Sequence, residues 1–230
     1  MKRIVLAGAL VFATFAPALA ADLPPPAPVP YVPVVRAFSW TGFYLGLNGG
    51  YGFGQSSWNT ALGTVGGFKT DGGLAGGTAG FNYQWGQFVV GIEGDGDWQN
   101  IRGTQTTAGP CVTVGVGSCN TASNWISTIR GRAGFAVNRA LIYATGGAAF
   151  TDVKAWTAAS PFGGGSEPGW TGGGGVEFAM TDSWTVKLEY LYAKFQSATC
   201  PASSCSAAAP ATVSLNENIV RVGVNYLFNY

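Results

Sequence analysis

Histidine is absent from the sequence, and its absence removes several kinds of active site. Without it there is no Ser-His-Asp arrangement, the commonest solution for a hydrolase, and no imidazole ligand for a metal ion. A nucleotide-binding loop is missing too, because no GxxxxGK[ST] motif follows the glycine run at 172–175. We therefore predict that the protein is not an enzyme, with no catalytic residue, no metal site and no cofactor.

Charged residues are scarce, at 10% of the chain, and nearly balanced, with a formal net charge of +1. This composition argues against nucleic acid as a partner, because proteins that bind it carry strongly basic surfaces. Long apolar runs are also lacking after the N-terminal region, since no later stretch offers the roughly 20 apolar residues that a membrane helix needs. If the mature chain spans a membrane, it must do so as a closed barrel.

The N-terminal region has the pattern of a secretory signal peptide, residues 1–20. Two basic residues precede an apolar run, and small residues follow it, so we predict cleavage between Ala20 and Ala21. Residues 21–38 are rich in proline, which favours an extended tether over a strand. Residues 39–230 follow one pattern throughout and are predicted to form a single domain.

Large apolar side chains and charged side chains keep to opposite sides of a two-residue alternation in this domain. In the segment 184–192, for example, Trp, Val, Leu and Tyr occupy the even positions while Lys187 and Glu189 are odd. Successive side chains of a β-strand point to opposite faces, so each segment has one apolar and one polar face. Closely spaced charges on one face and Trp and Tyr on the other suit a barrel that is apolar towards lipid and charged towards its interior.

Short connections such as Gly86-Gln87 and Asn138-Arg139 alternate with four long segments rich in Gly, Ser, Thr, Ala and Pro. Short periplasmic turns and long extracellular loops are typical of bacterial outer-membrane barrels. We predict an all-β fold, an eight-stranded antiparallel up-and-down transmembrane β-barrel, in the outer membrane of a Gram-negative bacterium, with both termini in the periplasm. The predicted strands are 41–54, 72–85, 88–99, 124–137, 140–153, 169–180, 184–196 and 215–228, and the long loops lie near 55–71, 100–123, 154–168 and 197–214.

Ten charged residues have the parity of the barrel interior. A lone charge there is costly, so acids and bases are expected to pair, and the consecutive third and fourth strands bring three acids beside two arginines. The alternatives are a cation site, an ion-conducting path or an acid–base pair of carboxylates. The ten residues are Glu93, Asp95, Asp97, Arg130, Arg132, Glu177, Lys187, Glu189, Glu217 and Arg221.

The four cysteines lie outside the predicted strands, in two pairs: Cys111 with Cys119, and Cys200 with Cys205. An even number in an exported chain favours disulfides, here local ones within the second and fourth surface loops. A metal site is the competing interpretation, but neither pair has CxxC spacing and histidine is absent.

Six stretches that together cover nearly all of the predicted barrel carry a resemblance to a known family: 40–54, 80–84, 89–98, 129–150, 169–195 and 218–228. They resemble the small porin-like outer-membrane β-barrels of alphaproteobacteria, often called immunogenic or major outer-membrane proteins, which are similar in shape to the membrane domain of OmpA. The resemblance implies an eight-stranded monomer that the barrel-assembly machinery inserts into a membrane of lipid and lipopolysaccharide. It also implies a C-terminal assembly signal, here Tyr226, Phe228 and Tyr230, although this chain continues two residues past the usual final aromatic residue.

The resemblance implies a structural role in envelope integrity, with surface-exposed loops. Two other functions stay open: a porin-like channel for small solutes or ions, and an adhesin or recognition protein that acts through its loops. Eight strands leave an interior just wide enough for side chains to fill, which argues against a permanent wide pore.

Overall fold

A computed structural model describes residues 38–60, 63–106, 118–157, 160–200 and 211–228. Every regular element in these ranges is a β-strand, and none of the described residues forms a helix able to cross a membrane. Cleavage at Ala20 and Ala21, and the position of Tyr230, lie outside the described residues. The strands are β1 (Gly42–Thr60), β2 (Gly63–Trp85), β3 (Phe88–Gln105), β4 (Cys119–Val137), β5 (Ala140–Thr157), β6 (Ser160–Ala179), β7 (Trp184–Phe195), β8 (Ala198–Cys200) and β9 (Ala211–Phe228).

The strands form one closed antiparallel barrel. Each strand from β1 to β6 pairs with the next in sequence, β7 pairs with β9, and β9 pairs with β1 to close the sheet. The three-residue β8 pairs only with β9 and continues the line of β7 after a break at Gln196 and Ser197, so the wall has eight strands. Closure leaves no free edge in the membrane, and the predicted fold class is confirmed.

The short turns set the register at one end of the barrel. Gly86 has a φ of 62° and Asn138 a φ of 54°, both in the left-handed region that glycine and asparagine tolerate best. A positive φ at the first loop position, as at Gly86, is what a type II′ turn requires. In the third short turn, Met180 N donates to Trp184 O at 2.9 Å, which leaves three residues in the loop.

The strands extend further at the opposite end than predicted. β1 and β2 continue to Thr60 and Gly63, and β5 and β6 to Thr157 and Ser160, so two of the predicted long loops are largely strand. The reason is that every strand in a closed wall has two neighbours to complete its hydrogen bonds, even where Gly, Ser and Thr give little intrinsic strand preference. The alternation changes parity on β4, where the register shifts between Ala122 and Ile126: the most deeply buried positions are odd from Cys119 to Ser123 and even from Ile126 onwards, which conceals the pattern in the sequence.

The outward face is apolar, with aromatic rings concentrated at two levels. Near the short turns, Trp184 packs edge-on against Tyr226, and Tyr226 against Phe228, with ring centroids 5.2 and 5.0 Å apart. On β3 the two levels are marked by Phe88 and Trp98, both exposed. Ten residues at about 3.4 Å per residue and a tilt of about 40° give a height of about 26 Å, the thickness of the apolar band of outer-membrane barrels.

Candidate functional site

The barrel interior is divided into three layers. An apolar cluster that includes Trp40, Val89 and Leu141 lies near the short turns. A second apolar cluster, with Trp58 and Phe68 among its largest members, lies in the opposite half. The side chains of the middle layer are polar or charged, and they form the candidate site. We call this middle layer the ionic layer.

Arg130 on β4 lies at the centre of the ionic layer. Its Nη2 contacts Glu93 Oε1 at 2.5 Å and Asp95 Oδ2 at 2.7 Å, and its Nη1 contacts Glu189 Oε1 at 3.1 Å. Glu93 is the direct cross-strand partner of Arg130, whereas Glu189 comes from β7 on another side of the barrel. A planar guanidinium can serve several carboxylates at once, so one arginine joins two walls of the interior.

Arg221 on β9 makes a second group of contacts across the interior. Its guanidinium contacts Glu189 Oε2 at 2.7 Å, Asp97 Oδ2 at 2.8 Å and Asp95 Oδ2 at 3.0 Å. Asp95 and Asp97 belong to β3, which does not neighbour β9 in the sheet. The ion pairs of Arg221 with the two aspartates therefore connect strands that share no backbone hydrogen bonds, whereas Glu189 is its direct cross-strand partner on β7.

Lys187 and Arg132 complete the ionic layer. Lys187 Nζ contacts Glu93 Oε2 at 3.0 Å, and Arg132 Nη2 contacts Glu177 Oε2 at 2.7 Å. Arg132 also lies 3.5 Å from Glu93 Oε2, and its guanidinium stacks over the Tyr143 ring, 4.0 Å from the centroid. The side chains of Lys187 and Arg132 are 0% and 1% exposed, so neither faces solvent.

Neutral side chains complete the hydrogen bonding of the layer, and the sequence analysis did not single them out. Tyr44 donates its hydroxyl to Glu93 Oε2 at 2.7 Å, and Tyr143 donates to Glu189 Oε1 at 2.9 Å. Thr185 and the amide of Asn225 both donate to Glu177 Oε1, at 2.5 and 2.8 Å. The alternation would have found Thr185 and Asn225, because they share the parity of the inward charges on β7 and β9. β1 and β5 carry none of the ten predicted inward charges, so the two tyrosines had no such marker.

All ten residues predicted to face inward are buried. Nine of them form the ionic layer, since contacts within 4.0 Å connect every residue of the ten except Glu217. Glu217 lies between Leu215 and Ile219 of the second apolar cluster. Its Oε2 has no hydrogen-bond partner, and Gln99 Nε2 is 3.5 Å from its Oε1. The structure thus brings nine residues together and leaves the tenth apart.

The remaining predicted residues lie on the wall or outside the described part of the chain. Tyr226 and Phe228 are on the outward face of β9. Cys119 is buried at the first residue of β4 and is not a free thiol, and Cys200 ends β8. Cys111 and Cys205 lie outside the described residues, so both pairings stay predictions.

The geometry of the ionic layer limits what it can do chemically. The side chains of Arg130, Lys187 and Glu189 have no exposed surface, so water does not reach the centre of the barrel. A carboxylate that is held by two or three cations has no free position to take a proton from a substrate or to bind a metal ion. Among the described residues, no group of three or more Asp, Glu or Cys side chains is arranged to hold a metal.

The protein is a closed eight-stranded barrel with an apolar exterior and a charged interior that side chains fill. These features define its class, an integral β-barrel protein of the bacterial outer membrane. The profile of the outer membrane protein beta-barrel domain family matches residues 6–228. The chain is 34% identical to the 31 kDa outer-membrane immunogenic protein of Brucella melitensis, over 99% of this chain and 100% of that protein. It therefore belongs to this alphaproteobacterial family of outer-membrane β-barrel proteins, as the sequence resemblance predicted.

Two further comparisons agree with this assignment. The 22 kDa outer membrane protein of Rhizobium leguminosarum bv. viciae is 32% identical, over 85% of this chain and 82% of that protein. The crystal structure of the outer membrane protein OprG from Pseudomonas aeruginosa matches with a TM-score of 0.53, covering 84% of this chain and 99% of that one. At 13% identity the OprG match shows the fold alone. The relatives named here are outer-membrane proteins, and neither name describes an enzyme.

Proposed function

We propose that the protein is a structural component of the outer membrane, a filled barrel that supports envelope integrity and does not conduct ions or solutes. The observation that carries the proposal is the ionic layer, in which Arg130, Lys187 and Arg221 are buried at 1% exposure or less. An ion path needs hydrated side chains along its length, whereas these side chains bind one another and have apolar layers on either side. The same pairing supports the absence of catalysis.

Single-channel recording on refolded protein in a planar bilayer tests the proposal. We expect no reproducible current steps. We also expect that deletion of the chromosomal gene makes cells more sensitive to detergent and that the wild-type gene restores their resistance. A stable current whose ion selectivity changes with Arg130→Ala and Arg132→Ala would establish the alternative, a channel. Recognition by the surface loops stays a prediction.

We also propose the partners that this role implies. The outward aromatic residues Tyr226 and Phe228 end the last described strand and are exposed to lipid, which suits a C-terminal signal for the barrel-assembly machinery. Outer-membrane lipid and lipopolysaccharide surround the wall. A monomer suffices, because the barrel closes on itself through the pairing of β1 with β9.

A further inference from the structure

A polar patch interrupts the apolar outer wall on β7, β9, β1, β2 and β3. It consists of three rows of side chains that lie side by side across the strands, all on the outward face. We call it the wall patch. Its upper row is Lys194, Asn216, Gln55 and Lys69; its middle row is Tyr192, Asn218, Phe53, Asp71 and Arg102; and its lower row is Tyr190, Val220 and Tyr51.

Two lysines stand at the two ends of the upper row of the wall patch, and no described residue neutralises them. Lys194 and Lys69 are exposed, and neither makes an ion pair with any described residue. Elsewhere on the outer wall and turns the described cations are paired: Lys154 with Asp152 at 3.3 Å, and Arg139 with Asp182 at 2.7 Å. Three strand spacings separate Lys194 from Lys69, or about 14 Å.

The middle of the wall patch offers groups that bind sugars. Asn218 is held in place, since Tyr190 donates its hydroxyl to Asn218 Oδ1 at 2.7 Å and the amide donates to Phe53 O at 3.3 Å. Tyr51 donates its hydroxyl to Asp71. A groove of about 630 Å³ runs between these side chains, which is the size of a small-molecule site. Amide and carboxylate oxygens accept hydrogen bonds from hydroxyl groups, and the exposed face of an aromatic ring packs against a sugar ring.

The height of the wall patch identifies its ligand. Lys194 comes ten residues after Trp184 at the lower aromatic level, the same separation as Phe88 and Trp98, so Lys194 lies at the upper membrane boundary. Lys69 is 16 residues from Trp85 and therefore lies above that boundary. Because the strands tilt, the upper row of the wall patch rises from the level of the lipid headgroups at Lys194 to the region just outside them at Lys69.

We infer that the wall patch binds the headgroup of a phosphorylated glycolipid in the outer leaflet, with Lys194 and Lys69 on separate anionic groups and Asn218 and Asp71 on sugar hydroxyls. Arg102 lies next to Asp71 in the middle row and supplies a third cation. A glycolipid whose headgroup contains several sugars and more than one negative charge is long enough to reach from Lys194 at the membrane boundary to Lys69 above it. This site goes beyond the structural role, because a wall that only contacts hydrocarbon needs no sugar-binding groups above it.

Binding of purified lipopolysaccharide to the folded full-length protein in mild detergent tests the inference. The variant Lys69→Gln with Lys194→Gln should weaken binding by about tenfold or more, since each lysine near a charged membrane surface contributes about 1 kcal/mol. Asn218→Ala should weaken binding as well, with the dependence on salt unchanged because no charge is removed. The matched control is Arg139→Gln, which removes an exposed cation at a short turn and should leave the affinity unchanged. The folded gel band of each variant verifies that the barrel is intact.

Two further probes decide the nature of the ligand. Vesicles of phosphatidylglycerol carry phosphate without sugar, and free glucosamine phosphate carries both without a membrane anchor. We expect weaker binding to the first and little competition by the second. Equal binding to phosphatidylglycerol, insensitive to Asn218→Ala, would show only general attraction of anions and overturn the inference. Full competition by the free sugar phosphate would overturn the membrane source, and unchanged lipopolysaccharide affinity in the double lysine variant would overturn the site.

Discussion

Glu177 and Lys187 lie directly opposite each other across β6 and β7, yet each side chain pairs with a residue of another strand. Glu177 accepts from Arg132 on β4, and Lys187 donates to Glu93 on β3. The short turn at 181–183 predicts that the two residues are opposite, and the register confirms it. The pairs instead reach across the interior, so the ionic layer connects strands that are far apart along the chain.

Loss of Arg130 should destabilise the barrel more than loss of any exposed cation. Arg130→Ala leaves Glu93, Asp95 and Glu189 with fewer cations inside a closed wall, and breaking a buried pair typically costs about 3–5 kcal/mol. We expect unfolding at lower urea concentration, measured by the shift between folded and boiled gel bands. Adding Arg132→Ala should lower stability further, without any channel current.

Arg139→Ala is the matched control for this prediction. Arg139 also forms an ion pair at 2.7 Å, with Asp182, but both side chains are exposed, so its loss should cost about 0–1 kcal/mol. If Arg130→Ala and Arg139→Ala lowered the free energy of unfolding equally, that result would contradict the view that the ionic layer stabilises the barrel.

Inward glycines let neighbouring strands approach closely beside the ionic layer. A Cβ on Gly50 would collide with the backbone oxygen of Val220 and lie 2.7 Å from Arg221 Cα. One on Gly147 would collide with the backbone oxygen of Ile129 and lie 2.7 Å from Arg130 Cα. We therefore expect Gly50→Ala and Gly147→Ala each to lower the free energy of unfolding by about 1–3 kcal/mol, the usual cost of overpacking. Gly96→Ala places its methyl group in open space on the outer wall and should be tolerated. Urea titration of the three refolded variants compares them directly.

The parity of the interior charges and the short turns could be predicted from the sequence because each depends on local chemistry. Lys187 and Glu189 share a face through simple alternation, and Gly86 marks a turn through its backbone freedom. The partners within the layer could not be predicted, since the reach of Arg221 to Asp95 depends on how the barrel closes. Nor could the strand extensions, because Trp58 and Ile101 keep the inward parity but lie among glycine and polar residues that have little preference for strands. On β4 the alternation itself changes parity between Ser123 and Ile126.

Reduction of the cysteines should leave the barrel folded. Cys119 begins β4 at the end far from the short turns, so a bridge between Cys111 and Cys119 closes a short loop outside the apolar band. Such a bridge restricts the loop more than the whole fold. We expect the folded gel band to survive reducing agent, and mass spectrometry of unreduced peptides to show the pairs Cys111–Cys119 and Cys200–Cys205. Disappearance of the folded band on reduction would instead mean that a bridge joins distant strands.

Substitution by glutamine should change the stability of the barrel in opposite directions at Glu217 and Glu93. Glu93 is in contact with four cations, whereas Glu217 has no ion pair within the described residues and its Oε2 lacks a hydrogen-bond donor. Glu217→Gln provides an amide that can donate a hydrogen bond to Gln99 Oε1, which also has no partner. We therefore expect this variant to raise the free energy of unfolding by about 1–3 kcal/mol. Glu93→Gln should cost about 3–5 kcal/mol, because Arg130 and Lys187 lose their shared carboxylate. Urea midpoints of the two variants decide the matter, and a loss for Glu217→Gln would show that this carboxylate has a stabilising partner after all.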